Sequence, residues 1–343
     1  MQRDGSRGAR RAAETRRLRR SRLTVVILVL VVVVSAGILG IGWVLAGHGD
    51  KPAKIAVPGA AAAAKSPPGA QASSAATATA SSSAISTAVA RPAEVPDPAA
   101  DQAVPVLMYH HIMPDPSNSI AISPATFDAQ MSYLHGHGWH PISMAQLRAF
   151  VQTGKRLPSK PVLITFDDDR KNQLTYGVPI LKKYGFTATF FVPKKWVAGP
   201  SPSFMHVSQL KQLIADGYDV ESHTADHALI HPAKSRSTGI MESYASMKAR
   251  YWEPVHGMRV WMDSTLGAPA TALAYPGGMY NDDAIRLVRD AGYDLAFTTD
   301  DGYVTYKGQS PYALPRWNTG ARGTTLARFV SILDRAERHK RAK

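Results

Sequence analysis

From Val104 onward, short apolar runs alternate with stretches of helical periodicity, and this alternation limits the fold more than any other feature of the chain. Val104–Tyr109, Val162–Phe166, Ala188–Val192, Tyr218–Val220, Ala272–Tyr275 and Asp294–Thr298 read as buried strands. The helices between them carry start signals. Ser123-Pro124 precedes Phe127, Met131 and Leu134; Ser143 precedes Met144, Leu147 and Phe150; Ser208 precedes Leu210, Leu213 and Ile214. Asn281 opens a helix closed by Gly292, and Thr324 or Thr325 opens the last, with Leu326, Phe329, Val330 and Leu333. Strands alternating with helices imply a parallel sheet or barrel, whose chemistry gathers at the carboxyl ends of the strands.

The residues before Val104 are of a different kind. Residues 1–22 hold nine arginines against Asp4 and Glu14, and residues 24–46 carry no charge at all. An uncharged run of this length spans a hydrocarbon core of about 30 Å as a helix. The Arg-rich flank keeps the N-terminus cytoplasmic and sends the rest outside. The apolar stretch exceeds the usual reach of a cleaved leader, so residues 23–46 are expected to be an uncleaved transmembrane signal anchor, with a cytoplasmic segment at 1–22. Residues 47–103 are rich in Ala, Ser, Thr and Pro and read as a flexible linker. The folded domain is expected at 104–335 and a basic tail at 336–343.

The net charge of +14 is concentrated at the ends, with +7 in residues 1–22 and +4 in residues 335–343. Beside a membrane span, the first cluster suits anionic lipid headgroups. No basic surface interleaved with aromatics points to nucleic acid. The absence of cysteine excludes thiolate chemistry and thiolate metal ligands.

Two segments carry the chemistry. Thr165-Phe166-Asp167-Asp168 ends a strand on paired carboxylates, and His223-Thr224-Ala225-Asp226-His227 follows another strand with two imidazoles at i and i+4, the spacing of one face of a helical turn. One Asp and two His form the ligand set of an open divalent-metal site. The other Asp is free to act as a base. Pro276-Gly277-Gly278 follows a third strand and points to the same rim. Asp226 could orient an imidazole or stand solvated. Trp196, Trp317 and Tyr275 are candidates for stacking on sugar rings.

These segments resemble the polysaccharide deacetylase, or NodB-homology, family. Pro105-Val106-Leu107-Met108-Tyr109-His110 is similar to its opening strand, and Leu314-Pro315-Arg316 to a late one. The resemblance covers residues 104–335. It implies a distorted (β/α) barrel, a divalent metal, usually Zn2+, and hydrolysis of N-acetyl groups from an acetylated glycan outside the cell membrane. It further implies Asp167 as general base and Asp168, His223 and His227 as metal ligands. The opening strand and tethered layout look closest to the poly-N-acetylglucosamine branch, with peptidoglycan the competitor.

Three departures accompany the likeness. Asp169 stands where the family usually has Gly. The third motif appears as Ala274-Tyr275-Pro276-Gly277-Gly278, without its Arg and with Gly277 in place of the Tyr whose backbone N–H serves the oxyanion. No motif supplies a general acid, for which His110, His111 and His231 are the substitutes at hand. Arg316 is a candidate partner for Asp167. These gaps keep a second reading open, a non-catalytic glycan-binding or assembly protein on a deacetylase scaffold.

Overall fold

A computed structural model describes residue 99 and residues 101–341, apart from 235, 236 and 238. The anticipated transmembrane segment lies outside the described residues. Among the described residues, no helix is long and apolar enough to cross a membrane.

The strands are β1 Ala103–Tyr109, β2 His111–Ile112, β3 Ala121–Ile122, β4 His140–Pro141, β5 Pro161–Asp167, β6 Thr189–Val192, β7 Asp219–Ser222, β8 Ala272–Ala274, β9 Leu295–Phe297, β10 Tyr303–Thr305 and β11 Trp317–Asn318. β1, β5, β6, β7, β8 and β9 pair in that order, every pair parallel. β11 lies parallel to the other side of β1, with Leu107 opposite Trp317. A parallel bridge joins Phe297 of β9 to Leu314, three residues before β11. Backbone bonds from Leu314 N to Ala296 O (2.8 Å) and from Thr298 N to Leu314 O (2.9 Å) secure it. The sheet therefore curls until its ends meet through residues 314–318, giving the expected barrel-like fold.

Side-chain alternation along the strands builds two cores. Val104, Val106, Leu163, Phe191, Ala272, Ala274, Leu295 and Phe297 face one way and pack with Ile142, Met144, Leu147 and Phe150. Leu107, Tyr109, Ile164, Phe166, Phe190, Val220 and Leu273 face the other way, under the remaining helices. Strands buried on both faces read as unbroken apolar runs, which is why the sequence betrayed them.

Helix starts follow the caps for the most part. Ser123 Oγ accepts from Thr126 N and Pro124 takes the first helical position; Ser143 and Gln146 satisfy each other's backbone N–H; Asn281 Oδ1 accepts from Ala284 N. The helix expected after Ser208 instead begins at Val207, because Gln209 Oε1 accepts from His206 N. One helical run is additional to the expected elements, and two expectations need correction. A long helical run with no stated start signal covers Tyr244–Leu266 and is continuous through a π turn at Glu253–Gly257 that contains Pro254. The last helix extends over Leu326–Arg341, so the segment assigned to a basic tail begins inside it, with Ala336 buried. At the other end the domain gathers in residues placed in the linker: Ala99 N bonds Gly154 O, and Gln102 Nε2 bonds Leu157 O.

Candidate active site

The carboxyl end of β5 delivers Asp167, and the chain then turns sharply. Asp168 and Asp169 take φ of 75° and 51°, and in the loop after β7 Thr224 and His227 take 62° and 59°. Left-handed backbone is uncommon outside glycine, with Asp and His among its more frequent occupants, and it clusters where a site dictates geometry. The loop at 223–227 is not the helical turn expected from the spacing. Pro254 O and Lys195 N staple it through Ala225 at 2.7 Å each, while Ala228 N donates to Thr224 Oγ1 and Asp226 Oδ1. Asp226 is exposed and caps this turn rather than orienting an imidazole.

Both imidazoles nevertheless reach Asp168. Its Oδ1 lies 3.5 Å from His223 Nε2 and 3.2 Å from His227 Nε2, and the three ligand atoms fall within 4.8 Å of one another. His223 Nδ1 is 2.8 Å from Ala274 O, which assigns the ring proton to Nδ1 and leaves a lone pair on Nε2. In the neutral ring that lone pair faces a carboxylate oxygen, an arrangement that a shared cation relieves. The donor set, one carboxylate oxygen and two imidazole nitrogens with the remaining side open, fits a divalent metal. No other such cluster of three or more His, Asp or Glu occurs among the described residues. Burial works against ionisation of Asp168, yet the two imidazoles hold its carboxyl well below the usual range.

Asp167 has a different partner. Arg316, fully buried, grips it with two bonds of 2.7 Å, Nη1 to Oδ1 and Nη2 to Oδ2, and anchors its own Nε on Thr298 O at 2.9 Å. Burial alone would raise the Asp167 carboxyl, but the guanidinium keeps it low. Asp167 thus has an arginine partner, supplied from just before β11 and not from the third motif.

His110 follows β1 directly, with Nε2 3.9 Å from Asp167 Oδ2. Burial lowers its pKa, and the charges of Asp167 and Asp168 pull the other way. The backbones of these two residues are tied by a side chain the sequence analysis missed. Gln173, fully buried in a π turn, donates from Nε2 to His110 O (2.7 Å) and to Asp167 O (2.6 Å), in place of the next rung of the β1–β5 ladder. Nothing in local sequence distinguishes it from a surface glutamine. Asp169 is buried with both oxygens unpartnered, and burial, reinforced by the charge of Asp168, raises its carboxyl to about 9.

Other candidates separate. Gly277 is exposed in the turn after β8, at φ 62° and beside Leu229. Tyr275 is fully buried and donates its hydroxyl to Tyr312 O, so it presents no ring to a sugar. Trp317 packs on Tyr303 beneath Arg335, equally withdrawn. Trp196 stays at the site, its ring centroid 4.8 Å from that of His227. His111 bonds Asn172 and is pushed down to about 4 by burial, and His231 is exposed on Pro232 O.

Residues 154–296 match the family model described as polysaccharide deacetylase. Bacillus subtilis (strain 168) YxkH is 28% identical over 235 residues, covering 67% of this chain and 77% of that protein. The poly-beta-1,6-N-acetyl-D-glucosamine N-deacetylase of Staphylococcus epidermidis is 28% identical over 201 residues, covering 57% of this chain and 67% of that enzyme. Among solved structures, the Streptococcus pyogenes deacetylase PplD in complex with acetate superposes with a TM-score of 0.55 at 25% identity, over 62% of this chain and 91% of that one. A curled parallel sheet that carries both motifs to one rim, together with these matches, identifies residues 154–296 as a polysaccharide deacetylase domain.

Proposed function

We propose that the protein is a metal-dependent N-deacetylase acting on an acetylated glycan outside the cytoplasmic membrane, with poly-N-acetylglucosamine the leading substrate and peptidoglycan the competitor. The observation that carries this reading is the convergence of Asp168, His223 and His227 beside an Asp167 clamped by Arg316. A divalent ion held by the triad, with zinc the first choice, supplies Lewis-acid activation of water and of the acetamide carbonyl.

The remaining work falls to the chain. Asp167, kept ionised by Arg316, accepts the proton of the attacking water on a lone pair that the guanidinium leaves free. His110, 3.9 Å from Asp167 Oδ2, stands where a proton can be handed to the departing amine. Gly277 offers a backbone N–H toward the oxyanion. Water adds to the carbonyl carbon, the C–N bond breaks, and acetate and a free amine result. Membrane attachment rests on the charge and hydropathy of residues 1–46 alone. The glycan-binding alternative drew on the incomplete third motif, and Arg316 weakens that motive by giving Asp167 an arginine partner.

The test is acetate release from poly-β-1,6-N-acetylglucosamine, chitin oligomers and peptidoglycan in parallel, with zinc added or removed by a chelator. Wild type should release acetate only when loaded, and most from the first substrate. Asp167→Asn should lose about 100-fold or more in kcat while still binding zinc. Full activity in that variant would remove Asp167 from the mechanism, and glycan binding without any acetate release would favour the alternative.

A further inference from the structure

The two histidines of the triad present the same atom but are held by different means. His223 is 2% exposed and locked through Nδ1 by Ala274 O. His227 is 29% exposed, sits on left-handed backbone, and its Nδ1 makes no hydrogen bond to the protein among the described residues. Metal-bound imidazoles are ordinarily oriented by a hydrogen bond from the nitrogen that faces away from the metal. His227 has a ring instead: the Trp196 indole lies against it with centroids 4.8 Å apart and planes 27° from parallel.

That indole is itself braced. Phe204 stacks on it at 4.9 Å and 19°, and the Arg170 guanidinium lies 5.0 Å from the Trp196 centroid and 4.8 Å from that of Phe204. The same guanidinium reaches Asp168 Oδ2 at 3.5 Å, the oxygen the imidazoles do not share. Main-chain contacts fix the frame: Arg170 bridges Phe204, and Lys195 N, one residue before the indole, bonds Ala225 O in the histidine loop.

We propose that Trp196 is a positioning residue for the ligand His227, orienting its imidazole by stacking as Ala274 O orients His223 by hydrogen bonding, and that Arg170 ties this ring to the free oxygen of Asp168. The inference rests on the metal reading above and concerns how the ligands are held, not the reaction.

Its test is zinc affinity of the full chain, measured by competition with a chromophoric chelator. Trp196→Leu should bind about tenfold or more weakly, the range lost when support behind a ligand is removed. Trp196→Phe, which keeps a ring on His227, should recover most of that loss. A second readout does not depend on tolerance of the leucine. Titration of wild type with cobalt(II) should quench part of the indole emission as the visible cobalt bands grow. In Trp196→Phe the bands should form without that quenched component. Zinc binding as tight in Trp196→Leu as in wild type overturns the proposal, and so does quenching that survives in Trp196→Phe. Either result leaves the metal site standing, whereas a wild-type chain that binds no zinc fails the metal reading and this inference with it.

Discussion

Arg316 shows what a single residue decides at this site. It is a fully buried cation whose compensating charge comes from a strand end 149 positions away. Stripping one member from such a pair leaves an unpaired buried charge, at a cost of about 3–5 kcal/mol. Lysine keeps the charge but cannot make the two parallel bonds. Arg316→Lys should therefore lower kcat by about tenfold to a hundredfold, part of what a positioned base contributes. It should also move the acid limb of the pH–rate profile. The guanidinium holds Asp167 low, so weakening that hold lets the carboxyl protonate at higher pH, and activity should fail earlier on acidification. A profile with an unmoved acid limb would separate Arg316 from the base. From the sequence, Arg316 was visible as a candidate on a late strand. Gln173 was not, because its importance lies in two carbonyls brought together only by the β1–β5 pairing.

At the scale of elements, the turns after the strands carry the chemistry, and their backbone is exacting. Gly278 ends the short turn after β8 at φ 68°, and a Cβ there would meet Thr299 Cβ and Cγ2 at 2.7 Å. Thr299 is β-branched and cannot swing its methyl aside cheaply. Gly278→Ala should cost about 1–3 kcal/mol, seen as a lower thermal midpoint, and should depress activity by displacing the neighbouring Gly277 turn. An alanine variant as stable and active as wild type would show that this turn is tolerant. Strands and most helix starts were legible because period and caps are local signals, as at Ser123, Ser143 and Asn281. The helical run through Pro254 was hidden by a residue that normally breaks helices. The wider π turn there leaves Pro254 O to receive Ala225 N, so a local irregularity supports the histidine loop.

For the whole molecule, burial of a carboxyl that the mechanism does not use makes stability depend on pH. Glu221 lies in β7, beside a cavity of about 200 Å³ lined also by Met144, Arg148, Asp219 and Thr271. Burial pushes its carboxyl up from 4.5 to about 8, against hydrogen bonds from Ala272 and Thr271. A raised carboxyl makes the folded state bind the extra proton. Its contribution to stability is whole below pH 4.5 and is lost as pH climbs toward 8. Glu221→Gln should flatten that decline, which can reach about 1.4 kcal/mol per pH unit, as read by denaturant unfolding across the window. Identical slopes for the two proteins would show that Glu221 stays ionised in the fold. Taken alone, the sequence determined the strand–helix alternation, the two motifs and their order, because hydrophobic period and residue type are properties of neighbours along the chain. Only the tertiary structure decided that Asp167 belongs to Arg316, that Tyr275 and Trp317 face away from the site, and that a tryptophan backs one histidine. Those pairings join residues on different strands and loops, and they exist only once the sheet has assembled.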